Sequence, residues 1–171
     1  MAATAIVVPV AAAEPALGRW RRAYTDDGAE GMPAHVTLIY PFADESVLDD
    51  VMIADLGGVL AAFAAFDARF GTFGRFDADP PVLYLEPARP QPFLDLIAAV
   101  AARFPDHPPF GGRHATVIPH LTVAQTRDAD VMAAAEADVA RHLPLHADID
   151  AVHVMANRAA GGWRRRAVVA L

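Results

Sequence analysis

Cysteine is absent from the 171 residues, and so is lysine. Without cysteine there is no disulfide, no thiolate metal ligand and no cysteine nucleophile. Such a chain suits a reducing compartment, and we expect a cytoplasmic protein. Without lysine there is no Schiff-base chemistry on a side chain and no lysine-bearing P-loop. All 14 basic residues are arginine, set against 21 Asp and Glu, for a net charge of −7. That balance argues against DNA as a partner, because gripping a duplex takes many phosphate contacts. A small anion or the end of an RNA strand needs only a few converging arginines. No apolar run approaches the ~18 residues of a membrane span. The apolar start has no positive residue before Arg19, so it reads as a first strand rather than a secretory leader.

What is present is a core-forming composition. Apolar residues make up 54% of the chain, enough to exclude disorder. No linker or low-complexity tract interrupts it, which predicts one domain over 1–171 and a monomer. The patterning predicts a strand over 4–10, a helix over 14–24 with Pro15 in its first turn, and a strand over 34–40 stopped by Pro41. One or two helices follow over 46–66, with Gly57-Gly58 as the weak point. Strands over 66–76 and 82–85 are set to form a hairpin. A helix over 92–104 is marked by Phe93, Leu94, Ile97, Val100 and Phe104 at helical spacing. A Pro/Gly loop over 105–112 leads to a strand over 118–125 and an Ala-rich helix over 128–142 capped by Thr126 or Asp128. Strands over 147–155 and 163–171, paired across a turn at 159–162, close the chain. A turn-rich stretch, a strand and a helix recur around residues 35 and 120, which predicts an α+β fold of two similar lobes.

The recurrence carries chemistry. His35-Val36-Thr37 and His120-Leu121-Thr122 both lie inside predicted strands. Side chains on a strand alternate faces, so each tripeptide shows an imidazole and a hydroxyl on one face and an apolar residue on the other. With seven His, seven Thr and one Ser, random placement yields roughly a third of one such tripeptide, so the pair stands out where one would not. Histidine titrates near pH ~6.5, so one ring can be neutral while the other is protonated. One then takes a proton from a nucleophile as the other gives one to a leaving group, and the hydroxyls donate to a charged oxygen between them. Two imidazoles flanking a phosphorus suit in-line displacement at a phosphodiester, with no metal or cofactor required.

Other residues are secondary candidates. Tyr40 and Phe42 follow the first tripeptide and are placed either to stack on a base or, as an aromatic after a strand more often does, to fill the core. Arg113 and His114 precede the second and are placed equally well to reach a phosphate or to form an exposed loop pair. His107, His142, His146 and His153 have no partner spacing and read as structural or surface residues. Trp20 and Trp163 read as core. Arg164-Arg165-Arg166 reads as a solvated strand end. His114 and His120 lack a third ligand at metal-binding spacing, so no metal site is expected.

Pro33-Ala34-His35-Val36-Thr37-Leu38 with Tyr40-Pro41-Phe42, and Pro119-His120-Leu121-Thr122-Val123-Ala124, resemble the paired signatures of the 2H phosphoesterase superfamily, in its bacterial 2′-5′ RNA ligase-like branch. Arg19-Trp20-Arg21 and Pro108-Pro109-Phe110-Gly111-Gly112 resemble that branch too, and 85 positions separate the two histidines. The resemblance implies two pseudo-symmetric lobes of antiparallel sheet backed by helices around a central groove. It implies hydrolysis of cyclic nucleotide phosphates, typically RNA 2′,3′-cyclic phosphate ends to a 2′-phosphate; some members also join RNA ends reversibly through a 2′-5′ bond. It makes His35 and His120 the acid–base pair, His35 by analogy the acid and His120 the base, with Thr37 and Thr122 as phosphate anchors. A non-catalytic protein that binds a nucleotide or RNA end in the same groove is the alternative.

Overall fold

The computed structural model describes residues 3–113, 116–158 and 161–171. Eight strands are present among them: β1 Thr4–Pro9, β2 His35–Ile39, β3 Phe66–Phe76, β4 Val82–Pro87, β5 Leu121–Gln125, β6 Leu145–Ile149, β7 Ala151–Asn157 and β8 Trp163–Ala170. The helices are α1 Glu14–Tyr24, α2 Asp26–Ala29, α3 Asp50–Leu60, α4 Gln91–Arg103 and α5 Ala129–Ala140. All eight strands join one antiparallel sheet in the order β6-β3-β4-β5-β2-β1-β7-β8.

That order is symmetric about the β2–β5 seam. One half runs β2-β1-β7-β8 outward from it and the other β5-β4-β3-β6. The sheet must also curl. Only Asp150 separates β6 from β7, yet six strand spacings of about 4.8 Å lie between them in the ladder, or ~29 Å if the sheet were flat. The curl brings the far ends together and leaves a groove along the seam. The helices interlock the halves: α1, which precedes β2 in the chain, packs on β5, and α4, which precedes β5, packs on β2. One apolar cluster runs through both halves, from Ile6 and Val8 through Val36 and Leu121 to Phe70 and Phe93.

Most predicted elements are present, with two corrections. The strand expected over 147–155 is two strands in opposite halves. Leu145, Ala147 and Ile149 are buried in β6, then the buried set switches parity to Val152 and Val154 in β7. Asp150 is where the chain leaves one half for the other. The helix expected over 46–66 begins only at Asp50, with the Asp49 carboxylate accepting from Met52 N at 2.8 Å. It then runs unbroken through Gly57 and Gly58, because Leu56 and Leu60 are fixed in the core and outweigh a propensity cost of about 1 kcal/mol per glycine.

Candidate active site

The two tripeptides meet at the seam. Val36 is paired with Leu121, both fully buried, and this is the one pairing that joins the halves among the described residues. One step along the antiparallel ladder to either side sets His35 opposite Thr122 and Thr37 opposite His120. Residues directly opposite share a face, so all four polar side chains point the same way, and all four line one groove of about 420 Å³. The two histidines are diagonal partners, a relation that puts Cβ atoms roughly 7–8 Å apart. A tetrahedral anion between them meets an imidazole on two sides and a hydroxyl on the other two.

Each tripeptide is followed by a bulge at the same place. In the β1–β2 ladder Val7 pairs with Thr37 and Ile6 with Ile39, leaving Leu38 extra. In the β4–β5 ladder Tyr84 pairs with Thr122 and Leu83 with Ala124, leaving Val123 extra. The apolar doublets Leu38-Ile39 and Val123-Ala124 therefore both face the core, and the next residues, Tyr40 and Gln125, return to the groove. Strict alternation would have sent both to the back of the sheet. Bulges re-aim side chains in this way beside functional sites.

The ring orientations are also matched. His35 Nδ1 lies 2.7 Å from the Pro33 carbonyl and His120 Nδ1 lies 2.7 Å from the Ile118 carbonyl. A carbonyl only accepts, so both Nδ1 atoms carry hydrogen, and in each neutral ring Nε2 is the basic atom. Burial and then the Arg21 charge push His35 down to about 4, against the opposing pull of Asp27 and the Pro33 carbonyl. Burial also lowers His120, assisted by Arg21 and opposed by its bond to Ile118. Both shifts favour the neutral ring at pH 7.

The surroundings of the rings differ. Around His120 stand aromatic rings: Phe76 edge-on at 4.8 Å, Tyr84 at 5.3 Å and Phe110 stacked at 6.4 Å. Phe110 reaches this position with φ of 52°, a conformation costly for a bulky residue, in a turn it shares with Gly111 and Gly112 at positive φ. Around His35 stand charges. Asp27 Oδ2 is 3.8 Å from His35 Nε2 and 2.7 Å from Arg21 Nη2. Burial pushes Asp27 up, but Arg21, His35 and Thr25 outweigh it and hold its carboxyl below the usual range. Arg21 is 1% exposed and also donates from Nη1 to the Thr122 carbonyl at 3.0 Å.

Of the secondary candidates, Tyr40 lines the groove, with Trp163 edge-on at 5.9 Å. Phe42 does not. It lies beyond β2, which ends at Ile39, so strand alternation no longer ties it to Tyr40, and it is buried in the core cluster against Phe104 and His107. Arg113 is exposed and is not among the lining residues. His114 lies outside the described residues. Trp163, expected in the core, is half-buried on the groove wall. Trp20 packs against the core while its Nε1 donates to Asp138 at 2.8 Å. Arg164 and Arg166 pair with Glu45 and Asp50 rather than facing the groove.

Sequence reasoning missed Asp27, Gln125, Phe76 and Phe110 as groove residues, and Arg21 as the buried cation behind them. Arg21 did leave a signal: it falls four residues after Leu17, on the buried stripe of α1, where a charge needs a reason. No group of three or more His, Asp or Glu among the described residues is arranged to hold a metal ion.

A family model described as the 2′-5′ RNA ligase superfamily matches residues 8–161. No curated protein matches. The fold is shared with solved structures of low sequence identity. LigT of E. coli, complexed with 3′-AMP, is 14% identical, covers 99% of this chain and 97% of its own, and superposes with a TM-score of 0.67. TT0787 of Thermus thermophilus is 17% identical over 99% of this chain and 97% of its own, with a TM-score of 0.65. A structure described only as a phosphoesterase is 13% identical over 100% and 99%, with a TM-score of 0.64.

Proposed function

The chain belongs to the 2′-5′ RNA ligase superfamily, and from that premise we propose that it is a metal-independent phosphoesterase acting on cyclic nucleotide phosphates. The substrate is a 2′,3′-cyclic phosphate, at the end of an RNA or on a free nucleotide, opened to the 2′-phosphate. The observation that carries this reading is the crossed set His35–Thr122 and Thr37–His120 on one groove face. One neutral Nε2 takes the proton of an attacking water as its oxygen bonds to phosphorus. The other ring, protonated, gives its proton to the 3′ oxygen as the P–O bond breaks. The threonine hydroxyls donate to the non-bridging oxygens, where charge accumulates. With a 5′-hydroxyl in place of the water, the same displacement of the 3′ oxygen joins a 2′,3′-cyclic end to it through a 2′-5′ bond. Similar LigT has been crystallised with 3′-AMP, NADP+ and ATP, which supports a nucleotide-type ligand.

The test is release of 2′-phosphate from nucleoside 2′,3′-cyclic monophosphates and from cyclic-ended oligoribonucleotides, with excess chelator present. Turnover unaffected by chelator is expected. Activity that chelator abolishes contradicts the mechanism. Binding without turnover of any of these substrates makes the protein a sensor rather than an enzyme.

A further inference from the structure

The site is two-fold symmetric in its strands, bulges, tripeptides and ring hydrogen bonds, but the surroundings of the two rings are not. His35 faces a carboxylate and His120 faces aromatic rings. The carboxylate is a built feature. Asp27 Oδ2 accepts from Arg21 Nη2 at 2.7 Å, and Oδ1 accepts from Gly28 N at 2.8 Å, so both oxygens are held. Gly28 N also reaches the Thr25 hydroxyl, which caps α2. Gly28 has no room for a side chain: a Cβ there would stand 2.5 Å from the Arg21 carbonyl oxygen, which lets α2 sit directly against the end of α1. Arg21 in turn is fixed by the Thr122 carbonyl. Its Nε is buried with no hydrogen-bond partner among the described residues, so burial of this guanidinium is not explained by complete bonding of its own.

The charges that face His35 are Arg21 from α1, Asp27 from α2, and His120 from the segment leading into β5. Arg21 and His120 oppose a proton on the ring, and Asp27 alone of the three favours one. Asp26 and Glu30 line the same groove without acting on His35. Whichever role His35 takes in hydrolysis, receiving the proton of water or giving one to the departing ester oxygen, it carries a proton at one stage of each turnover. We propose that Asp27, clamped by the buried Arg21, is the positioning residue that lets His35 carry that proton and makes the two histidines unequal. Asp27 favours a proton on His35 alone, whereas Arg21 opposes one on both rings.

The inference rests on the phosphoesterase reading, and its test separates the two. Imidazole protonation is followed by NMR in the full chain with saturating inorganic phosphate as the groove probe, in wild type and in Asp27→Asn. The His35 midpoint should move acidward in the variant, while His120 moves little. In turnover assays kcat/KM at neutral pH should fall about tenfold, as loss of one unit in proton affinity implies. KM should hold, one limb of the pH–rate profile should move acidward, and Asp27→Glu should restore part of the loss. Should Asp27→Asn fail to fold, Asp27→Ser gives the same readout. A His35 midpoint that does not move, or an equal movement of both rings, overturns the proposal even in an active enzyme. Absence of turnover on every cyclic substrate overturns the enzyme reading instead.

Discussion

Arg21 Nη1 donates to the carbonyl oxygen of Thr122 at 3.0 Å, across 101 residues of sequence and across the seam between the two halves of the sheet. The bond follows from the helix exchange: α1 belongs by sequence to β2 but lies on β5. One fully buried cation thus touches the backbone of the second tripeptide and, through Asp27, the ring of the first. The groove is held from beneath by a group that no substrate reaches.

Removing that group should cost stability as well as activity. Arg21→Ala leaves the Asp27 carboxylate without its cation and the Thr122 carbonyl without its donor. Loss of one partner of a buried pair costs about 3 kcal/mol. Urea unfolding of the variant should show that loss in midpoint at an unchanged slope. Arg21→Ala together with Asp27→Ala should lose less than the sum of the two single changes.

Acid should destabilise the fold earlier than its carboxylates alone would require. His35 is held at about 4 in the folded protein, against 6.5 for a free ring. Between those two values the unfolded chain binds the proton and the folded one does not. Stability is therefore complete above pH ~6.5 and is lost as pH falls towards 4, by about 3 kcal/mol for this ring. His120, lowered in the same direction, adds to the loss. Denaturant midpoints measured from pH 7 to pH 4.5 should fall, and His35→Gln should flatten that fall. An equally steep fall in the variant would assign the acid sensitivity elsewhere.

The four groove side chains should separate by role. His35→Ala and His120→Ala should each lower kcat by about 10²–10⁴, the usual contribution of a positioned acid or base. The double variant should be little worse than either single one, because the rings act as a unit. Thr37→Ala and Thr122→Ala should lose less, about tenfold to a hundredfold, as one donor to a charged oxygen is removed. A fully active His120→Ala protein would sink the site assignment.

The strands, their faces and the tripeptides were legible because alternation is a local property. His35 and Thr37 share a face whatever surrounds them, and Val36 and Leu38 follow into the core. The bulges were half legible: Leu38-Ile39 and Val123-Ala124 are apolar doublets that break alternation at matching distances from each histidine. The switch at Asp150 was written in the parity change from Ile149 to Val152. What no local pattern contained was the exchange of α1 and α4 between halves. That exchange carries Arg21 and Asp27 to the site, and it depends on contacts between segments about sixty (α4 and β2) and about a hundred (α1 and β5) residues apart.

Phe42 takes the core reading of the two offered for it, whereas Trp163, read as core, stands on the groove wall, and kinetics can tell the two apart. Trp163 stands on the groove wall, edge-on to Tyr40 at 5.9 Å, where a planar base has a ring to rest on. Base–aromatic stacking is worth about 1–3 kcal/mol, so Trp163→Ala should raise KM for a cyclic nucleotide about tenfold with kcat nearly unchanged. Phe42 is 6% exposed and packs edge-on against Phe104 at 5.1 Å. Phe42→Ala should leave KM alone and instead cost about 3–5 kcal/mol of stability through the cavity it opens. Steady-state kinetics on both variants, paired with urea unfolding, decides the matter: a KM effect at Phe42 and none at Trp163 would make Phe42 the stacking residue and remove the stacking surface from the groove rim.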